Sequence, residues 1–482
     1  PANATSGVYA ADLVRDDTGA KSQIVFIVRD DFSHSDLLFK TSDTTWEAYN
    51  DYGGASLYKG ARGRRGRAYK VSYNRPLLTR GNAATNAVFH SEYPMIRWLE
   101  ANGYDVSYFS SVDADRFGSQ IFQHKTLLSV GHDEYWSGTE RANVEAARDA
   151  GVNLAFFSGN EIFWKTRWES SVNSTPSAYR TLVCYKETHA NRPIDPNRPT
   201  WTGTWRDPRF SPPGDGGRPE NALSGTMFAV NGYANDAITV PAADGKMRFW
   251  RNTSVANLNP GGVATFATGT LGNEWDQAPD NGFRPAGEFQ LSSTTVSGVK
   301  LLQDYGSKYA IGTATHHLSL YRAQSGALVF GAGTIQWSWG LDSTHDYAGP
   351  PPDLRMQQAT VNLLADMNAQ PGSLAPGLIP AVASSDTVPP TSRIISPFSS
   401  TLLTPGRPVL ITGTASDVGG VVGGVEVSVD GGRSWHPAVG RENWFYSWTP
   451  RASEAEAVTL LSRAVDDSGN LETPGPGVTV QT

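Results

Sequence analysis

The chain has one cysteine, Cys184, in 482 residues. No disulfide can therefore form within it, and no zinc site can be built on thiolates. Cys184 stands in the apolar run Thr181–Tyr185, where a buried, inert thiol is expected. Long hydrophobic runs are also missing: nothing approaches the ~18 apolar residues a membrane-spanning helix needs. Basic blocks are scarce and the formal charge is −7. The densest cationic cluster, Arg62, Arg64, Arg65 and Arg67 in a Gly-rich loop, reads as a solvated loop, and nucleic acid is excluded as a partner. The chain has no initiator Met and no signal peptide, and opens on Pro1–Ala2–Asn3–Ala4 as a processed product would. With 49 Gly, 30 Pro and 14 Trp, the expectation is a secreted or cell-surface protein, with the cytoplasm left open.

What is present is length enough for two or three domains. Residues 1–33 read as a β segment, either the tail of an N-terminal β domain or packed on the core. Residues 34–374 alternate short apolar strands (Leu37–Phe39, Tyr104–Phe109, Lys125–Val130, Asn153–Ser158) with helices at Glu92–Ala101, Gly138–Ala150 and Leu354–Met367. That alternation predicts an α/β domain with a mainly parallel sheet flanked by helices. Residues 165–300, rich in Pro, Gly, Asn and Trp, read as an excursion of loops and short strands over the sheet. Residues 375–390 are a Pro/Ala/Ser linker. Residues 391–482 show short alternating strands with turns such as Asp430–Gly431–Gly432, predicting an antiparallel β-sandwich, immunoglobulin-like in spacing.

Polar clusters fall where chemistry is usual in such a sheet, beyond the carboxyl ends of strands. Val130–Gly131–His132–Asp133–Glu134–Tyr135–Trp136 follows a buried strand and leads to Ser137, which with Glu140 forms a capping box. A helix cap and a core histidine would equally explain Glu134 and His132. Ser158–Gly159–Asn160–Glu161 breaks another strand at the turn where hydrolases of this architecture often carry a Ser or Cys nucleophile, and none stands there. Two tyrosines, Tyr49 and Tyr58, flank Gly53–Gly54, and Glu274 lies in Leu271–Asp276. Without a nucleophile, hydrolysis needs an activated water, through a general base or a metal. His316 and His317 are adjacent in a strand, a poor pair of metal ligands. Phenolates and carboxylates are hard oxygen donors, and two of the first with one of the second would neutralise a ferric ion. Spacing alone does not single out such a set among 18 tyrosines.

Thr45–Trp46–Glu47–Ala48–Tyr49–Asn50 through Gly53–Gly54–Ala55–Ser56–Leu57–Tyr58, Arg97–Trp98–Leu99–Glu100 with Gly103–Tyr104–Asp105–Val106, and Gly131–His132–Asp133–Glu134–Tyr135–Trp136–Ser137 resemble the large (beta) subunit of N,N-dimethylformamidase. The similarity runs over about residues 5–370. It implies a class I glutamine amidotransferase-like core that has lost its cysteine, matching the empty turn at Asn160. It also implies a mononuclear ferric iron held by two tyrosines and a glutamate, here Tyr49, Tyr58 and Glu134. His132 then orients water or substrate, Asn160 is a polar neighbour of the iron, and Glu274 is the acid/base carboxylate. The implied function is iron-dependent hydrolysis of a C–N amide bond in a small molecule, with a homo-oligomer or a small partner subunit as the partner expectation. Rival readings are a secreted carbohydrate-binding or carbohydrate-cleaving protein, with Glu161 and Glu274 as paired carboxylates, and a non-catalytic scaffold.

Overall fold

In the computed structural model the described residues are 4–60, 66–80, 86–210, 216–232, 234–451 and 457–481. Arg62, Arg64 and Arg65 of the basic loop lie outside them. Arg67 lies inside and donates to the Tyr185 carbonyl at 2.8 Å. Among the described residues no helix is long and apolar enough to cross a membrane.

The sheet that carries the site has seven strands, in the order Phe289–Gln290, Ser319–Arg322, Leu328–Gly331, Asn153–Gly159, Thr126–His132, Leu37–Thr41, Val106–Ser110. From Leu328–Gly331 to Val106–Ser110 every pairing is parallel, while Ser319–Arg322 runs against its neighbours. Leu37–Thr41, Thr126–His132, Asn153–Gly159 and Leu328–Gly331 are buried at every residue. This explains their unbroken apolar runs, since a parallel sheet is covered on both faces. One face packs Met95, Trp98 and Leu99 of helix Val88–Ala101 and Met356 and Leu364 of helix Leu354–Asp366. The other packs Val144 and Ala147 of helix Gly138–Asp149 against Leu154 and Phe156. Ser137 and Glu140 close the capping box expected at the start of Gly138–Asp149.

Chain order across the five parallel strands fixes where a ligand can sit. The chain leaves Leu37–Thr41 for Val106–Ser110 on one side, then returns to Thr126–His132 on the other. Connections diverge between Leu37–Thr41 and Thr126–His132, which opens a crevice beyond their carboxyl ends. Glu134 and helix Asp43–Tyr49 both emerge there.

Several local expectations change. The helix expected from Glu92 begins at Val88, with Pro94 inside it. Tyr49 ends a helix, Asp43–Tyr49, that the strand-and-loop reading of this stretch did not include. The turn at Asn160 feeds a strand, Trp164–Glu169, not a helix. Residues 7–28 form a two-stranded hairpin whose Val8 and Ile27 pack on the main core.

Between Asp366 and Thr391 there is no helix or strand. Beyond lies an antiparallel sandwich of two four-stranded sheets around Ile411, Val427, Trp444, Leu460 and Val480. Its strands include Asn443–Trp448, which the hydropathy pattern did not single out. The sandwich touches the α/β unit through ion pairs of Arg284 with Glu426 and Arg441 with Asp244.

Candidate active site

Helix Asp43–Tyr49 is held from several sides, which aims its last residue. Glu92 accepts from the Ser42 amide at 2.8 Å and the Trp46 indole at 2.7 Å. Arg75 donates to the Glu47 carbonyl at 2.8 Å and to the Ala55 carbonyl at 2.8 Å, tying the helix end to the adjoining loop. That loop turns at Gly53 and Gly54, whose φ values of 83° and 94° suit glycine. It returns so that the Leu57 amide reaches the Ala48 carbonyl at 3.0 Å. The rings of Tyr49 and Tyr58 consequently stack, centroids 4.2 Å apart.

Both phenols end on one carboxylate. Tyr49 donates to Glu134 Oε2 at 2.9 Å, and Tyr58 reaches Oε1 and Oε2 at 3.0 and 3.1 Å. Tyr135 donates to the Tyr58 hydroxyl at 2.6 Å. Glu134 is buried, its amide bonded to Thr45 Oγ1 and its carbonyl to the Phe163 and Trp164 amides. Burial, then the charge of Glu134, holds the Tyr49 and Tyr58 phenols well above their ordinary range, so without a cation both are neutral donors.

His132, the last residue of its strand, lies between two carboxylates, with Nε2 3.4 Å from Glu134 Oε2 and 3.3 Å from Glu274 Oε2. Nδ1 is 2.6 Å from Asn86 Oδ1. Burial works against its charge, but the Glu274 hydrogen bond and the charges of Glu134 and Glu274 outweigh it and hold the imidazole above its ordinary range. Asn160, at φ 48°, donates Nδ2 to Glu274 Oε2 at 2.7 Å, and its amide binds Asp276 at 2.8 Å. Its Oδ1 is buried and takes no hydrogen bond from the described residues. Glu274 Oε1 accepts from Asn231 Nδ2 at 3.1 Å and the Gly232 amide at 3.2 Å. The fold thus brings together all six singled-out residues: Tyr49, Tyr58, His132, Glu134, Asn160 and Glu274.

Two lysines escaped sequence reasoning. Lys186, 1% exposed, sets its Nζ 3.3 Å from the Tyr58 ring centroid and makes no hydrogen bond to the described residues. Burial drives its ammonium down to about 7 despite the attraction of Glu134. Lys40 pairs with Asp133 and, at 3.0 Å, with Glu140, all three closed to solvent. Glu161 joins that buried knot through Ser158 and Ser129. It shares no hydrogen-bond partner with Glu274 among the described residues.

Beside the cluster lies a cavity of about 610 Å³ lined by His90, Asn235, Asn273, Gln336, Trp339 and Tyr347. Asn273 precedes Glu274 in sequence. Burial first, then the charge of His132, pushes His90 down to about 3. Cys184 is fully buried, and burial raises its thiol to about 11.

Tyr49 and Tyr58 set two hard phenol oxygens within 2.9 to 3.1 Å of the Glu134 carboxylate. This set fits a cation of high charge, because the phenols lose their protons to such an ion and the three anions then neutralise it.

A family model described as N,N-dimethylformamidase beta subunit-like, C-terminal, matches residues 1–349, and one described as a bacterial Ig domain matches residues 390–461. No curated protein matches the chain. Solved structures that align include fibronectin(III)-like modules of CbhA from Clostridium thermocellum, at 23% identity and TM-score 0.16 over 19% of this chain and 96% of that one. Sulfane dehydrogenase SoxCD from Paracoccus pantotrophus aligns at 25% identity and TM-score 0.14 over 17% and 23% of the two chains. A modular endo-beta-1,4-mannanase from Cellulomonas fimi aligns at 17% identity and TM-score 0.14 over 30% and 29%. At such scores these alignments carry no argument.

Proposed function

The chain belongs to the N,N-dimethylformamidase beta subunit-like family, and on that premise we propose that it hydrolyses the C–N bond of a small amide at a mononuclear ferric centre held by Tyr49, Tyr58 and Glu134. One observation carries the reading: both phenols converge on the Glu134 carboxylate, at 2.9 to 3.1 Å, at the crevice between diverging strands. A ferric ion bound there would supply Lewis acidity to the amide carbonyl or to water.

The chain's own residues do the rest. Glu274, fixed by Asn160, Asn231 and Gly232, is the general base that takes a proton from water and returns it to the leaving nitrogen. His132, between Glu134 and Glu274, is placed to donate to the oxygen that becomes negative as the carbonyl is attacked. Asn160 Oδ1, an acceptor without a protein donor among the described residues, orients water or an amide N–H. Lys186 over the Tyr58 face favours the phenolate. The cavity of about 610 Å³ beside Glu274 is the substrate's place. We read the sheet as a glutamine amidotransferase-like core in which Asn160 stands at the nucleophile's turn. The family's description as a beta subunit supports a partner subunit or self-association.

The test is amine release from a panel of small formamides and acetamides, with metal-loaded protein. Glu274→Gln should lower kcat by about 10²–10⁴-fold and leave metal content unchanged. Equal turnover by Glu274→Gln and the parent would refute the assignment.

A further inference from the structure

Far from the crevice, the sandwich gathers three carboxylates. Asp386 lies in the segment between the α/β unit and the sandwich, Asp417 just after strand Val409–Ser416, and Asp466 at the end of strand Ala457–Asp466. One oxygen from each lies within 4.8 Å of the other two. An acidic cluster by itself is a solvated surface more often than a site. Here the oxygens are not solvated. Both oxygens of Asp417 and Oδ2 of Asp386 are shut off from solvent and accept no hydrogen bond from the described residues. Asp386 Oδ1 accepts only from the Val388 amide, at 3.0 Å, and an ionised Asp417 carboxylate with neither donor nor counter-ion among the described residues is unfavourable.

Asp466 is fully buried and already oriented, with Oδ1 accepting from the Ser468 and Asn470 amides at 2.9 and 2.8 Å and Oδ2 from Asn470 Nδ2 at 2.7 Å. Burial, with Asp386 adding to it, pushes its carboxyl up to about 6. Gly420 lets the loop approach: a Cβ there would stand 2.8 Å from Asp417 Oδ2, 2.8 Å from Asp467 Oδ1 and 3.0 Å from Asp386 Oδ2.

We propose that Asp386, Asp417 and Asp466 form a calcium site that locks residues 375–390 onto the C-terminal sandwich. The donors are all carboxylate oxygens, which suits calcium, magnesium or manganese and not zinc or copper. Calcium accepts about six to eight such oxygens in irregular geometry, whereas magnesium demands a near-ideal octahedron, and three carboxylates from three separate segments suit the less demanding ion. The same end of the sandwich meets the α/β unit, where the Arg248 amide donates to Asp467 at 2.8 Å and Arg322 to the Ser468 carbonyl at 2.5 Å. Calcium would therefore fix the angle between the two units.

The experiment is calorimetric titration of the EDTA-treated, dialysed full chain with calcium chloride. The expected result is one ion per chain, with Kd about 10⁻⁴ M or tighter and only weak competition by magnesium. Asp386→Asn and Asp417→Asn should each weaken binding about tenfold or more, with calcium-free melting raised and not lowered, since each removes charge from a buried, unpartnered oxygen. Calcium should also slow proteolysis within residues 375–390 in the parent and not in the variants. Absence of heat and of any melting shift at about 10 mM calcium would overturn the site, and that result needs no variant to fold. So would binding that survives Asp386→Asn/Asp417→Asn. Binding abolished by Glu134→Ala, but not by Asp417→Asn, would place the ion in the crevice and equally refute it.

Discussion

Replacing Lys40 by Met should cost the protein about 3–5 kcal/mol near neutral pH, the range for breaking a buried ion pair from one side. Lys40 is closed to solvent and touches Asp133, Glu140 at 3.0 Å and Ser111 Oγ at 3.1 Å, with the Trp136 ring centroid at 4.4 Å. Burial opposes its charge, but Asp133, Glu140 and Glu161 outweigh burial and hold the ammonium above the ordinary lysine range. Met fills the aliphatic volume, so the loss is electrostatic, leaving buried carboxylates without their cation. Those carboxylates can escape by binding protons. Burial already raises Glu140 to about 8 even with Lys40 drawing it back. A carboxyl raised in the fold contributes stability below its unfolded value, near 4.5, and loses it as pH rises through the folded value. Parent and variant lose this stability in parallel up to about pH 8; above it Glu140 ionises in the parent and stays protonated in the variant, so the deficit should widen from about pH 8 to about pH 10, by ~1.4 kcal/mol for each further pKa unit. Urea midpoints read by tryptophan fluorescence across that range give the answer, and Asp133→Asn in the Lys40→Met background should recover part of the loss. A penalty below about 1 kcal/mol, or one independent of pH, would refute the reasoning. Asp133 stands between His132 and Glu134, so the variant should also retain less metal.

Three other outcomes concern the site. Cys184→Ala should keep turnover and lose about 1 kcal/mol of stability, since the buried thiol packs in an apolar cluster and hydrogen-bonds the Lys165 and Thr202 carbonyls; abolished turnover in a folded variant would restore thiol chemistry. Lys186→Met should stabilise the metal-free protein by about 1–4 kcal/mol, and more at low pH than high, because a lysine depressed to about 7 loses folded stability as pH falls from its unfolded value; denaturant midpoints read this. His132→Ala should keep its metal by elemental analysis while turnover drops about 10²-fold or more.

What the sequence made legible was local. Leu37–Phe39, Lys125–Val130 and Asn153–Ser158 are apolar runs because the sheet is covered on both faces, and their strands extend one to two residues further only because backbone pairing continues past the apolar letters. The Ser137/Glu140 box lies within one turn and was readable for that reason. Helix Val88–Ala101 was clipped because Pro94 and the polar His90 and Ser91 hide its first turns, yet those residues are buried against the Trp339 segment. His132 and Glu134 could be placed at a strand end by position alone. Tyr49 and Tyr58 could be chosen among the tyrosines only through family resemblance, since the carboxylate they share is 85 and 76 residues away. Lys40 and Lys186 left no local sign: each is one cation in an ordinary segment, and only the tertiary fold sets it against Asp133 or Tyr58.

The central claim is tested most directly by titrating metal-free protein with ferric ion while recording visible absorption. The account predicts a phenolate-to-iron charge-transfer band that saturates at one ion per chain and releases about two protons, and that is lost in the Tyr49→Phe/Tyr58→Phe double variant. A protein that stays colourless through one equivalent, or a band that persists undiminished without both phenols, would contradict it.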